Sequence, residues 1–278
     1  MNILQVVDRH KVIDEVNKLI DEQGYKKAKE MWDFLISDPE INSSIKASNR
    51  LAVKYLHYTD HGLDHVSIVC RNVLQIIDHV KDEIVPALIH QEIGNLDDVA
   101  VVCLAACYLH DVGHIIHRDF HELSSSIMAK DLLYPKLKKL YPNAEKRLEI
   151  LSHIQHAILS HDESTTCLTP EAGFVAIADG LDMTQGRSRR PYDLGKVDIH
   201  SISALSITNV EIQKGTMKKP LRLNIMMVSE AGVFQVEEVF LPKLRTSGLI
   251  EKIELNTLVN GKPIALSQVL KMNKKYAD

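Results

Sequence analysis

The chain has 278 residues, of which 45% are hydrophobic and 25% charged, and its formal net charge is −4 at pH 7. This composition is typical of a globular protein with a substantial buried core. The net negative charge argues against a broad basic surface that could bind nucleic acid, and we expect no nucleic-acid partner. We also expect no secretory signal and no membrane helix, because the longest apolar run, residues 99–109, is short of about 20 residues.

In chain order, the first two thirds of the sequence read as helix, because apolar residues recur every three or four positions from residue 8 to about 195. A helix starting near residue 61 has Asp60 as its expected N-cap, and the most apolar helix ends at Gly113. The remaining predicted helices cover residues 10–37, 46–57, 121–133, 143–161 and 170–184.

Alternating apolar residues replace the helical pattern near residue 200. They predict a hairpin over residues 203–229, followed by a helix over 231–248 and a third strand over 249–257. The predicted fold is mainly α, with an all-helical domain over residues 1–199 and a small C-terminal α+β module, of β-β-α-β order, over residues 200–278. The apolar face of this module should pack on the main domain or between subunits, which suggests a homodimer.

The four cysteines show neither a CxxC pair nor the spacing of a disulfide framework. Cys103 and Cys107 lie one turn apart inside the apolar helix, where free thiols are usually buried. Such usage indicates a reducing compartment, and we predict a cytoplasmic protein.

Several ionisable residues lie on the apolar faces of their predicted helices. His65 shares a face with Val69, the His110–Asp111 pair ends the most apolar helix, and Asp179 follows an apolar stretch. A buried carboxylate without a partner costs several kcal/mol, so each aspartate requires a cation or several donors. Imidazole beside carboxylate suits Mn, Fe, Co, Ni or Zn. Lysine or arginine holding these carboxylates instead would argue against a metal.

Other histidines can be sorted by the same criterion. His161 continues the inward stripe of its helix, whereas His153 and His156 align with polar residues and should be solvated. His121 can point inward from the first turn of its helix. Asp182, one turn after the inward aspartate, is a weaker ligand candidate.

The order of His65, the His110–Asp111 doublet and Asp179 resembles the H, HD, D signature of the HD-domain superfamily of metal-dependent phosphohydrolases, over about residues 50–185. The resemblance implies an all-helical domain in which these four residues bind a metal.

His121 and His161 match the two additional histidines of binuclear members of that superfamily, with His156 as the competitor for His161. If both bind, Asp111 bridges two ions. The implied cofactor is one or two divalent ions, drawn from Mn, Fe, Co, Ni and Zn, or Mg.

The implied reaction is cleavage of a phosphoester, in a nucleotide or another small phosphorylated molecule, by metal-activated hydroxide. Asp111 is then catalytic as the bridging ligand, and His61 and His117, with His114 beside them, are candidates for proton donation to the leaving oxygen. Guanidinium groups bind phosphate bidentately. The candidate substrate-binding residues are Arg118, Arg187, Arg189 and Arg190.

Three alternatives stay open at this point. Some HD-domain proteins use a di-iron pair for oxygen-dependent oxidation, and another could bind a nucleotide or metal as a regulator without turning it over. The third is a helical protein whose buried histidines and aspartates find separate partners.

Overall fold

The computed structural model describes residues 8–56, 61–184 and 199–266. A bundle of helices precedes a small sheet, and the predicted mainly α fold class is confirmed. The helices of the bundle are α1 (Arg9–Gln23), α2 (Lys26–Ser37), α3 (Pro39–Leu56), α4 (Leu63–Val80), α5 (Ala87–His90), α6 (Leu96–Leu109), α7 (His121–Leu140), α8 (Ala144–Leu159) and α9 (Pro170–Gly180).

Helix boundaries near the N-terminus differ from the prediction for local reasons. The single helix predicted over residues 10–37 is two helices, because the chain turns at Gly24, whose φ is 66°. Residues predicted as a turn form the first part of α3, since Asp38 accepts hydrogen bonds from two backbone amides and Pro39 occupies the first helical position. The expected N-cap Asp60 lies outside the described residues.

Helix α6 forms the centre of the core, and every residue from 99 to 109 is fully buried. Within the described residues, one stretch, Leu96–Ile115, is long and apolar enough to cross a membrane, but 94% of its apolar window is buried inside the protein. It is longer than the sequence predicts because the 3₁₀ turn Val112–Ile115 continues the apolar run. The expected buried core helix is confirmed.

The C-terminal module, which we define as residues 199–266, contains a four-stranded sheet of order β1-β2-β3-β4. Strands β1 and β2 form the predicted hairpin, and β3 pairs parallel to β2. Its elements are a short helix (Ile199–Leu205), β1 (Ile207–Lys214), β2 (Leu221–Met227), a helix over residues 232–246, β3 (Ile253–Val259) and β4 (Lys262–Pro263). The β-β-α-β order is confirmed, with β4 added, and residues 203–205 are helical rather than part of the first strand.

Two glycines of α9 let the 232–246 helix and the turn after it approach closely. A Cβ on Gly180 would lie 2.8 Å from the Phe240 ring, and one on Gly173 would lie 2.5 Å from the Ser247 carbonyl oxygen. Phe240 and Leu244 are buried among other core residues of the same protomer. Part of the apolar surface that suggested a homodimer is therefore used within the protomer, and the homodimer stays a prediction.

Candidate metal centre

Seven buried side chains converge where α4, α6, α7, α8 and α9 meet. We call them the His/Asp cluster: His65, His110, Asp111, His114, His121, His161 and Asp179. Each is at most 5% exposed. All six ligands predicted from the sequence belong to the cluster, and the structure adds His114.

The two oxygens of Asp111 face different histidines. Oδ2 lies 3.0 Å from His110 Nε2 and 3.6 Å from His65 Nε2. Oδ1 lies 3.4 Å from His121 Nε2 and 3.7 Å from His161 Nε2. A carboxylate with donors on both sides has the arrangement required of a bridging ligand.

Asp179 completes one side of the cluster. Its Oδ1 lies 3.3 Å from His65 Nε2 and 3.5 Å from His110 Nε2. Three groups offer ligand atoms that all lie within 4.8 Å of one another. They are His65 with His110 and Asp179, His110 with Asp111 and His161, and Asp111 with His114 and His121.

Hydrogen bonds on the outer ring nitrogens orient the imidazoles. Nδ1 of His110 and of His161 each contacts the carbonyl three residues earlier, at 2.9 and 2.6 Å. Nδ1 of His65 lies 2.6 Å from Asp182 Oδ2. When Nδ1–H donates to these oxygens, the Nε2 lone pair points into the cluster, as in metal-binding histidines. Asp182 therefore orients a predicted ligand rather than joining the cluster.

Gly113 explains how His121 reaches the cluster. Its amide donates to Ser125 Oγ at 2.7 Å, and a Cβ at this position would lie 2.3 Å from the His121 carbonyl oxygen. The start of α7 can thus lie directly on the turn that follows the His–Asp doublet. There His121 stacks on His114, with ring centroids 4.2 Å apart.

The other predicted site residues fall into three groups. His61 Nε2 lies 3.9 Å from Asp111 Oδ2, and Arg118 Nη1 lies 3.1 Å from His114 Nε2, so both border the cluster. His117 is not brought into it, because its side chain is 66% exposed and lies beside Asp119. The remaining predicted substrate-binding residues lie outside the described residues: Arg187, Arg189 and Arg190.

The expected solvation of His153 is wrong, because it is 8% exposed. Helix α8 packs against α6, α7 and α9, so more of its circumference is buried than one apolar stripe indicates. His156 is half-buried, and its Nε2 accepts a hydrogen bond from the Leu168 amide at 3.0 Å. Neither histidine belongs to the cluster.

Lys243 was missed by the sequence reasoning. Its ammonium lies 2.5 Å from Asp179 Oδ2 and donates to the His161 carbonyl oxygen at 3.1 Å. Asp179 is therefore held on one oxygen by a lysine, the contact expected to argue against a metal, while its other oxygen faces the histidines. A usable signal did exist, because Lys243 lies on the same helix face as the apolar residues Val236 and Phe240.

The charges of the cluster follow from its geometry. Burial lowers the pKa of His110, but Asp111 and Asp179 more than offset this effect and raise it to about 9. Burial lowers the pKa of His161 to about 4 and that of His114 to about 3. At pH 7 the proton on His110 therefore lies between two carboxylates, where positive charge is most stable.

Metal affinity should depend on pH through His110. A metal ligand must be a neutral imidazole, so an ion binding at Nε2 has to displace this proton. We expect the apparent affinity for Mn²⁺ or Zn²⁺ to rise by up to about tenfold per pH unit as the pH approaches 9 from below. Calorimetric titration at several pH values would measure this, and a constant affinity from about pH 6 to 8 would contradict it.

Comparison with known proteins agrees with this geometry. The family model described as "HD domain" matches residues 85–184. The chain is 41% identical over 237 residues to the uncharacterized protein MJ1020 of Methanocaldococcus jannaschii, a match that covers 85% of this chain and 89% of that protein. No solved structure matches the chain. On these grounds the chain belongs to the HD-domain superfamily of metal-dependent hydrolases.

Proposed function

We propose that the protein is a phosphohydrolase that uses two divalent metal ions to cleave the phosphoester of a small molecule, with nucleotides as the leading substrate class. The observation that carries the proposal is Asp111, whose two oxygens face separate sets of histidines. Paired ions a few ångströms apart are characteristic of enzymes that hydrolyse phosphoesters.

The donor set fits two transition-metal ions. His114 Nδ1 is buried 3.8 Å from Asp111 Oδ1 and has no hydrogen-bond partner among the described residues, as a ligand atom would. Imidazole and carboxylate suit Mn, Fe, Co, Ni or Zn, whereas Mg²⁺ prefers oxygen alone. Divided by the oxygen of Asp111 that each histidine faces, one ion would be held by His65, His110, Asp111 and Asp179, and the other by Asp111, His114, His121 and His161. Bound there, the ions would supply Lewis acidity and a lowered pKa for water.

Two further side chains have the chemistry to act on the substrate. Arg118 stays charged at any relevant pH and lies at the edge of the cluster, where its guanidinium can bind phosphoryl oxygens. His61 is partly buried beside Asp111 and can donate a proton to the leaving oxygen. His117 is less suited to this role, since its side chain points to solvent.

A di-iron oxygenase would use the same ligand set, so oxygen dependence separates the two enzymes. Arg118 favours an anionic substrate such as a phosphoester, because a guanidinium pairs with phosphate oxygens. A regulator without turnover would bind metal and ligand but release no product.

Chelator-treated protein reloaded with Mn²⁺ should release phosphate or nucleoside from at least one member of a panel of phosphomonoesters and nucleotides. The rate should be the same with and without oxygen, and zero without metal. His90→Ala, which replaces an exposed histidine of α5, is the matched control and should keep the full rate. Oxygen-dependent turnover, or no turnover on any member with any of the metals above, would contradict the proposal.

The proposed setting is the cytoplasm. The four cysteines are all free and buried, and burial raises the pKa of each thiol, which keeps it unreactive. A homodimer is a further expectation, which light scattering would test.

A further inference from the structure

The C-terminal module contributes a charged side chain to the His/Asp cluster. Lys243 is 9% exposed, and its ammonium lies 2.5 Å from Asp179 Oδ2 and 3.1 Å from the His161 carbonyl oxygen. Both contacts are to residues proposed as metal ligands. The lysine is separated from Asp179 by 64 positions and reaches it only because the module packs on α9.

The two carboxylate oxygens of Asp179 have different partners. Oδ2 contacts the lysine, and Oδ1 lies 3.3 Å from His65 Nε2 and 3.5 Å from His110 Nε2. The lysine therefore fixes which oxygen of the carboxylate faces the imidazoles. A carboxylate without this contact could rotate and present either oxygen, or both.

The packing that delivers Lys243 is specific. Gly180, directly after Asp179, leaves room for the Phe240 ring. A Cβ added at Gly180 would also lie 3.5 Å from Lys243 Cδ. A π-helical stretch, Gln235–Phe240, precedes Pro242, which has no amide hydrogen to continue the α-helical pattern. This irregular turn sets the register of the helix immediately before Lys243.

The energetic role of the contact follows from burial. Asp179 is 4% exposed, and a buried carboxylate without a positive partner is strongly destabilising. When a divalent ion is bound, its charge also compensates Asp179. The lysine is therefore most important when no metal is present.

We propose that Lys243 is the charge-compensating residue of the metal centre, which contacts one oxygen of Asp179 and supplies positive charge there before metal binds. The inference rests on the proposed function, since it takes Asp179 as a ligand. It makes the C-terminal module part of the site, and it couples packing of the module on α9 to the metal content of the cluster.

Lys243→Met keeps much of the length and packing of the side chain but removes the charge. We expect it to lower the Tm of chelator-treated protein by on the order of 10 °C. Saturating Mn²⁺ should shrink this difference from wild type, because the ion then compensates Asp179, and by linkage the variant should bind Mn²⁺ more tightly than wild type. The matched control is Lys252→Met, which changes an exposed lysine of the same module and should leave both Tm values unchanged.

The double variant Lys243→Met with Asp179→Asn tests charge compensation between the two residues even if the single variant folds poorly. Removing both charges leaves no buried charge unpaired, so its metal-free Tm should exceed that of either single variant. Additive losses in the double variant, or a deficit in Lys243→Met that Mn²⁺ does not reduce, would overturn the inference. If none of the metals raises the Tm of wild-type protein, the proposed function fails, and this inference fails with it.

Discussion

Asp111→Asn is expected to remove both metal ions and to lower the rate of phosphoester hydrolysis by about a thousandfold or more. Both oxygens of Asp111 face histidines, so this one carboxylate belongs to both halves of the cluster. Asparagine keeps the shape but loses the charge and one acceptor atom. No other aspartate of the cluster contacts histidines on both sides, so no neighbour can replace it.

The measurement for Asp111→Asn is metal content together with turnover under saturating Mn²⁺. Asp119→Asn is the matched control, because the Asp119 side chain is 74% exposed and outside the cluster. Unchanged circular dichroism would show that the fold is intact. A variant that keeps two ions and the wild-type rate would rule out the bridging role.

His121→Ala is expected to remove one ion and to leave the other in place. His121 approaches Asp111 Oδ1 at 3.4 Å and groups with His114, on the opposite side of Asp111 from His65 and Asp179. The half of the cluster around Asp179 keeps all its ligands. Metal content should fall from about two ions to about one, with a loss of activity of about a hundredfold or more.

Elemental analysis after dialysis against a metal-free buffer would test this stoichiometry, with His90→Ala as the control. Loss of both ions in His121→Ala would show that the halves do not bind independently. Retention of both would show that the second ion is held without His121.

The ligand residues could be predicted because residues three or four positions apart in a helix point to the same side. His65 and Asp179 each follow apolar residues on one helical face, and burial of that face carried them inward. The same rule failed for His153, because α8 is covered by three neighbouring helices and its polar side is buried too. Periodicity describes one buried stripe and says nothing about how many neighbours a helix has.

Contacts between segments far apart in the chain could not be predicted from the sequence. Lys243 meets Asp179 only through the packing of two glycines of α9 against the module, which no local pattern encodes. The inclusion of His114 depends in turn on the close approach of α7 to Gly113. Local boundaries were missed where one side chain decides them, as at Asp38, whose capping hydrogen bonds start α3 earlier than predicted.

The central claim is that Asp111 and Asp179 are drawn together with imidazoles to hold divalent cations. The most direct test is elemental analysis of wild-type protein saturated with Mn²⁺ or Zn²⁺ and then freed of unbound metal, with His110→Ala beside it. The account predicts about two ions per chain in wild type and about one in the variant, because the half of the cluster around His121 keeps its ligands. Wild-type protein without bound metal would contradict it, and would leave Lys243 and the protonated His110 as the positive partners that the described residues give these carboxylates.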